Sequence, residues 1–187
     1  MSRASSALMA FGVIAAAAVV SPAHADESRF GPNDVRTVFV IGKNLDKNEV
    51  QYGVRLDAQC RPTSDEPVYA YWRQFEQGPN VTEDLNFLDK TAYGIRSQSI
   101  QIRNERGTKI VMTLKATSER GIAVVVRKDP SKENGACTAE ALAFINNVPA
   151  RLNRVYVHVA GFLSVDYIEL SGTRMDDGKP IVERINR

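Results

Sequence analysis

Histidine and cysteine are scarce in this chain, two of each among 187 residues. That scarcity argues against several kinds of chemistry. His24 falls in an N-terminal stretch that reads as a leader, which leaves His158 as the one imidazole beyond it. A zinc site draws on several His or Cys ligands, and the two thiols have a better use in each other, so neither a metal nor a cofactor is expected. Charge of one sign is also lacking. The 24 Lys and Arg stand against 22 Asp and Glu, interleaved as in Lys43 to Glu49 and Arg103 to Arg106. A nucleic-acid binder shows a clustered basic face instead, so no nucleic-acid partner is expected. No phosphate loop or catalytic triad can be picked out. Asn44, Asp46, Asn48 and Glu49 concentrate oxygen ligands, but that loop has neither the central Gly nor the closing bidentate Glu of a calcium loop. Asn80-Val81-Thr82 matches the glycosylation acceptor, a pattern too short to decide anything.

Long apolar runs are missing as well, except at the start. Arg3 precedes Ala7 to Val20, and Ser21-Pro22-Ala23-His24-Ala25 then places small residues where a signal peptidase cuts. The apolar run is about 14 residues against roughly 20 for a helical membrane span. The expectation is a cleaved secretory signal at 1–25, a single domain at 26–187, no membrane span after cleavage, and a periplasmic or secreted location. Neither cysteine follows the leader directly, which argues against a lipid anchor. In an oxidising compartment Cys60 and Cys137 are expected to form a disulfide. Two free thiols stay open as the alternative, because sequence does not show that the side chains meet.

From Thr37 onward apolar residues recur at every second position, the period of half-buried strands. Val50, Tyr52, Val54 and Leu56 share one face, as do Ile100 and Ile102, then Ile110, Met112 and Leu114, then Ile122, Val124 and Val126, then Val155, Val157 and Val159. Turn chemistry separates them at Asn104 to Gly107, Ser118 to Gly121 and Met175 to Lys179, where glycine can take a positive φ. Strands are predicted at 37–42, 49–57, 67–75, 94–103, 109–116, 121–128, 138–146, 151–160, 164–173 and 180–186. Short links make neighbours antiparallel. The fold class is therefore all-β and mainly antiparallel, one barrel or sandwich of about ten strands, with closure favoured because it removes exposed edges. One stretch breaks the alternation. Thr82 can cap a short helix running to Lys90, Glu83 and Asp84 suit its positive end, and Leu85 and Leu88 fall on one side.

Two sets of residues are candidates for function. In 154–159 the odd-numbered valines point inward, so His158 points out with Arg154 and Tyr156; only a nearby Ser and acid would make it a base. In 67–75, Tyr69, Tyr71, Arg73 and Phe75 share the face opposite Trp72, and Lys90 and Tyr93 follow. Rings with convergent cations can hold a ligand's apolar body and anionic end, and the same rings can simply fill a β core. The predicted binding residues are Tyr71, Arg73, Lys90 and Tyr93.

Phe39-Val40-Ile41-Gly42-Lys43, the strand Asn48 to Leu56, Pro67 to Trp72, the run Leu85 to Lys90 with Ala92-Tyr93-Gly94, and Val165 to Gly172 followed by Gly178 to Ile185 together resemble the uncharacterised domain family DUF4833. The resemblance covers nearly all the chain beyond the leader. It implies one domain and supplies no catalytic residues, and the cysteine pair is not claimed as one of its features. The expectation for function is an exported, non-enzymatic protein that binds a small molecule or an envelope protein. The alternatives are a periplasmic hydrolase using His158 and a scaffold module that binds another protein through a strand edge.

Overall fold

In a computed structural model, residues 29–187 are described except 79, 105–106, 118–119, 132–134 and 161–163; the predicted leader at 1–25 lies outside them. The alternating segments all become strands, and one unpredicted strand joins them. In chain order these are β1 Val35–Lys43, β2 Glu49–Val54, β3 Val68–Arg73, β4 Thr82–Asp84, the helix α1 Phe87–Tyr93, β5 Ile95–Asn104, β6 Gly107–Leu114, β7 Gly121–Lys128, β8 Cys137–Ile145, β9 Val148–Ala160, β10 Ser164–Arg174 and β11 Pro180–Asn186.

The long strand β9 organises the sheet. Along one edge it pairs with β10 over most of its length. Along the other, Val148 to Leu152 pair with β8 and Arg154 to Val157 pair with β1, the latter in parallel. Two wings therefore fork from one edge of β9 at Asn153: β1 to β4 on one side, β8 back to β5 on the other. Beside the fork the β9–β10 register slips between Ser171 and Gly172, the local irregularity that lets one strand serve two diverging neighbours. Both wings turn their apolar faces to the same interior. Phe39, Tyr52 and Val54 of one wing and Ile110, Met112 and Val124 of the other belong to a single buried cluster with Val155 and Leu170. The all-β expectation holds, with one parallel pairing among antiparallel ones. The expected closed barrel does not, and the alternative of a sandwich is not confirmed either, because the described strands form one sheet whose ladder is open, with no hydrogen-bonded pairing from β4 to β5.

Side chains and a disulfide hold the wings together where strand pairing does not. Cys60, in the loop after β2, is bonded to Cys137 at the start of β8, 77 residues away in sequence. The amide of Gln98 on β5 accepts from Val68 N at 2.9 Å and donates to Val68 O at 3.1 Å. The buried Tyr52 hydroxyl donates to the carbonyl of Tyr93, the last residue of α1.

Four local expectations are corrected. Thr82 does not cap the helix: Thr82–Asp84 pairs with β3 as an edge strand. Asn86 is the cap, its side chain accepting from Asp89 N at 2.9 Å while Asp89 accepts from Asn86 N at 3.2 Å, a reciprocal box that outcompetes a lone Thr. Leu85 is buried ahead of the helix, and Leu88 is 75% exposed. Ile102 does not share a face with Ile100, because a bulge between them turns Ile102 outward opposite Lys109. Gly178 has the positive φ expected of its turn, whereas Gly121 is an ordinary strand residue. The hairpin between β8 and β9 turns on Asn146 and Asn147, both at positive φ, the conformation that a two-residue hairpin demands and that Asn tolerates.

Candidate functional site

The four residues predicted to bind a ligand do not meet. Tyr71 and Arg73 stand on the outer face of β3. Tyr71 is buried under Phe30, ring centroids 5.0 Å apart, and its hydroxyl donates to Gln51 Oε1 at 2.8 Å. Burial pushes its phenol up in pKa, against the opposing pull of a hydrogen bond with Thr37. The Arg73 guanidinium lies over the Phe75 ring and donates to Asn80 Oδ1 at 3.3 Å. Tyr93 is on the inner side, its ring edge-on to Trp72 at 5.6 Å and packed against the core cluster. Lys90 is exposed on α1, where its carbonyl accepts from Gly94 N. The sheet thus stands between Tyr71 and Tyr93. Tyr71 is a bracing ring under the segment preceding β1, and of the four only Tyr93 borders the apolar hollow described next.

That hollow, of about 390 Å³, lies between the end of α1, the end of β6 and the β9–β10 pair. Its apolar wall is Val157, Val159, Val165 and Ile168, with Tyr93 beside them and Lys115 and Arg187 at its margin. Local bonds hold the walls in place. Lys115 N donates to Gly94 O at 3.1 Å, fixing the helix end to β6. Arg187 donates from its backbone N to Asp166 O at 3.0 Å and from Nη2 to Ala116 O at 3.0 Å, spanning from β10 to β6. The inward valines of β9 were legible as core residues. That Val159 runs past the cover of the opposite wing was not, and nothing in the local sequence brings Lys115 and Arg187 together. Apolar walls with two cations at the margin suit a molecule that has an apolar body and an anionic end.

The other candidates take structural positions. His158 points away from the core as expected, stacked on Tyr167 with ring centroids 4.7 Å apart and Nδ1 3.6 Å from Asp166 Oδ2. Among the described residues Nδ1 has no hydrogen-bond partner. In the Asn44–Glu49 loop, Asp46 pairs with Lys43 at 2.9 Å and accepts from Asn48 N. The Asn44 amide binds Val159, accepting from its N at 2.9 Å and donating to its O at 3.1 Å. Among the described residues no three His, Cys, Asp or Glu are grouped to hold a metal, and no helix is long and apolar enough to cross a membrane.

Fold and hollow together define a β-rich, disulfide-bonded domain with an apolar recess at one end of a forked sheet. Residues 39–184 match the family described as Domain of unknown function (DUF4833), and the chain belongs to that family. No curated protein and no solved structure matches it.

Proposed function

We propose that this chain is an exported, non-enzymatic binding protein for an amphipathic small molecule. The apolar body would lie against Val157, Val159, Val165 and Ile168, and the anionic end would face Lys115 and Arg187. The observation that carries this reading is the hollow itself: its volume of about 390 Å³ falls within the usual range for ligand sites, and apolar walls with few polar groups are the usual lining of such sites. Support for export comes from the leader pattern of Ala7 to Ala25 and from a disulfide, a bond that persists in oxidising compartments.

Trp72 touches Tyr93, so its emission should report occupancy. Titration of the purified protein with dodecanoate should give a saturable change in Trp72 fluorescence. Val165, 37% exposed at the hollow, can be changed to Glu with little effect on folding, and Val165→Glu should abolish the change. Lys115→Gln should weaken binding roughly tenfold, and the Arg73→Ala, Lys90→Ala double variant should leave it intact. Dodecanoate affinity that survives Val165→Glu, or that is lost with Arg73 and Lys90, would overturn this site.

A further inference from the structure

We propose a second site, for a phosphate-type oxyanion, at the opposite end of β6. Arg61, Arg103, Arg127 and Lys128 border a hollow of about 320 Å³ there, between the loop after β2 and the ends of β5 and β7. In sequence these charges are diluted among acids, and the chain as a whole is close to neutral. No described carboxylate borders the hollow, and of the four only Arg127 is paired with a described acid, Glu140 at 3.0 Å.

The convergence is built by specific local structure. The Asp57 carboxylate accepts from Gln59 N at 2.9 Å and Arg61 N at 2.8 Å, winding the loop so tightly that Cys60 takes φ +60°. The bond from Cys60 to Cys137 then fixes this loop at the start of β8, and Cys137 is the register partner of Lys128. The disulfide therefore delivers Arg61 to the end of β7. Lys128 lies against Gly135, whose φ of +61° is a conformation that favours glycine. Thr108, a buried hydroxyl, adds a polar group to the lining.

Several like charges brought into one recess repel each other, and a polyvalent anion relieves that repulsion. Three of the four are Arg, whose planar forks match the oxygens of phosphate. An adjoining hollow of about 480 Å³ shares Arg127 and Lys128 and adds Arg151, but Asp129 and Glu140 border it too, so of the two it is the hollow on the Arg61 side that no described carboxylate borders. The shared chemistry is a phosphate oxyanion, whether carried by a soluble molecule or by a lipid headgroup.

Calorimetric titration of the oxidised protein with inorganic pyrophosphate at low salt tests the soluble source, and co-sedimentation with phosphatidylglycerol vesicles tests the headgroup. One of the two should bind and should weaken as salt rises. Arg61 and Arg103 are both exposed, so Arg61→Gln with Arg103→Gln should leave the unfolding midpoint in place while reducing affinity at least roughly tenfold. Arg96→Gln, an exposed cation on β5 away from the hollow, should change nothing. Should the double variant fold poorly, Lys128→Gln tests the same loss. The proposal is overturned if neither probe binds, or if binding survives these variants. Because dodecanoate binding is read at the other end of β6, the two sites can fail independently.

Discussion

Gln98 and Val68 pair as though Gln98 were a piece of strand: its amide oxygen accepts from Val68 N at 2.9 Å and its amide nitrogen donates to Val68 O at 3.1 Å. This contact joins β5 to β3 where no ladder does, so one side chain stands in for the pairing that would bring the wings together.

Gln98→Ala removes both bonds and leaves the buried Val68 backbone short of a donor and an acceptor. A loss of about 1–3 kcal/mol is expected from the unsatisfied groups, measurable by urea unfolding. Gln98→Glu keeps the acceptor and loses the donor, and should fall between wild type and Ala. A change of less than about 0.5 kcal/mol for Gln98→Ala, the ordinary range for a surface substitution, would show that the wings do not depend on this contact.

The disulfide acts at longer range. It closes a loop across 77 residues of sequence separation, for which the chain-entropy account gives about 4.5 kcal/mol. Thiol titration of the unreduced, denatured protein should find no free thiol. Replacing Cys60 and Cys137 together by Ser should lower stability by up to that amount, and an unchanged unfolding midpoint would refute the structural role.

Strand pattern was legible in the sequence because alternation is local: Val50, Tyr52 and Val54 declare their face within five residues, and each of the ten segments read that way forms a strand. What was illegible is non-local. Thr82–Asp84 is too short and polar to show a period, and it becomes a strand only because β3 offers an edge. The parallel pairing of Val40 with Arg154 has no local signature, and neither does the fork at Asn153, so pattern alone could not separate a closed barrel from an open, forked sheet. The site was legible by residue type more than by place. Aromatic alternation placed Tyr71 and Trp72 on opposite faces, as found, but it could not say that Phe30 covers Tyr71. Tyr93, singled out through the aromatic cluster, borders the proposed hollow, while Lys115 and Arg187, like Arg61 and Arg103, come together only through tertiary structure.

Inward and outward positions on β9 can be tested directly. Val157 is 4% exposed in the core, so Val157→Ala should cost about 1–3 kcal/mol through lost burial and an unfilled cavity. His158 is half-buried on the sheet's outer face against Tyr167. His158→Ala should stay within about 0.5 kcal/mol. Comparable, large losses at both positions in denaturant unfolding would contradict the register.

Acid sensitivity should be traceable to Glu183. On β11 this carboxylate accepts two bonds from Arg120, each 2.6 Å, and one from Asn146 N at 2.8 Å. The Arg120 bonds hold its pKa below the ordinary glutamate value of 4.5, opposed by partial burial and aided by the Asn146 amide. A carboxyl group with a lower pKa folded than unfolded binds protons more readily when unfolded. Its stabilisation is therefore complete above the unfolded value and is lost as pH falls through the folded one. The Arg120 side chain is 37% exposed, and solvent screening limits the expected contribution to about 1 kcal/mol. Urea unfolding of wild type and Glu183→Gln should differ by that amount at neutral pH, with the difference constant down to about pH 4.5 and closing below it. A gap that stays unchanged well below pH 4.5 would mean that Glu183 stabilises the protein through packing, and that its charge contributes nothing to holding β11 against the Arg120 segment.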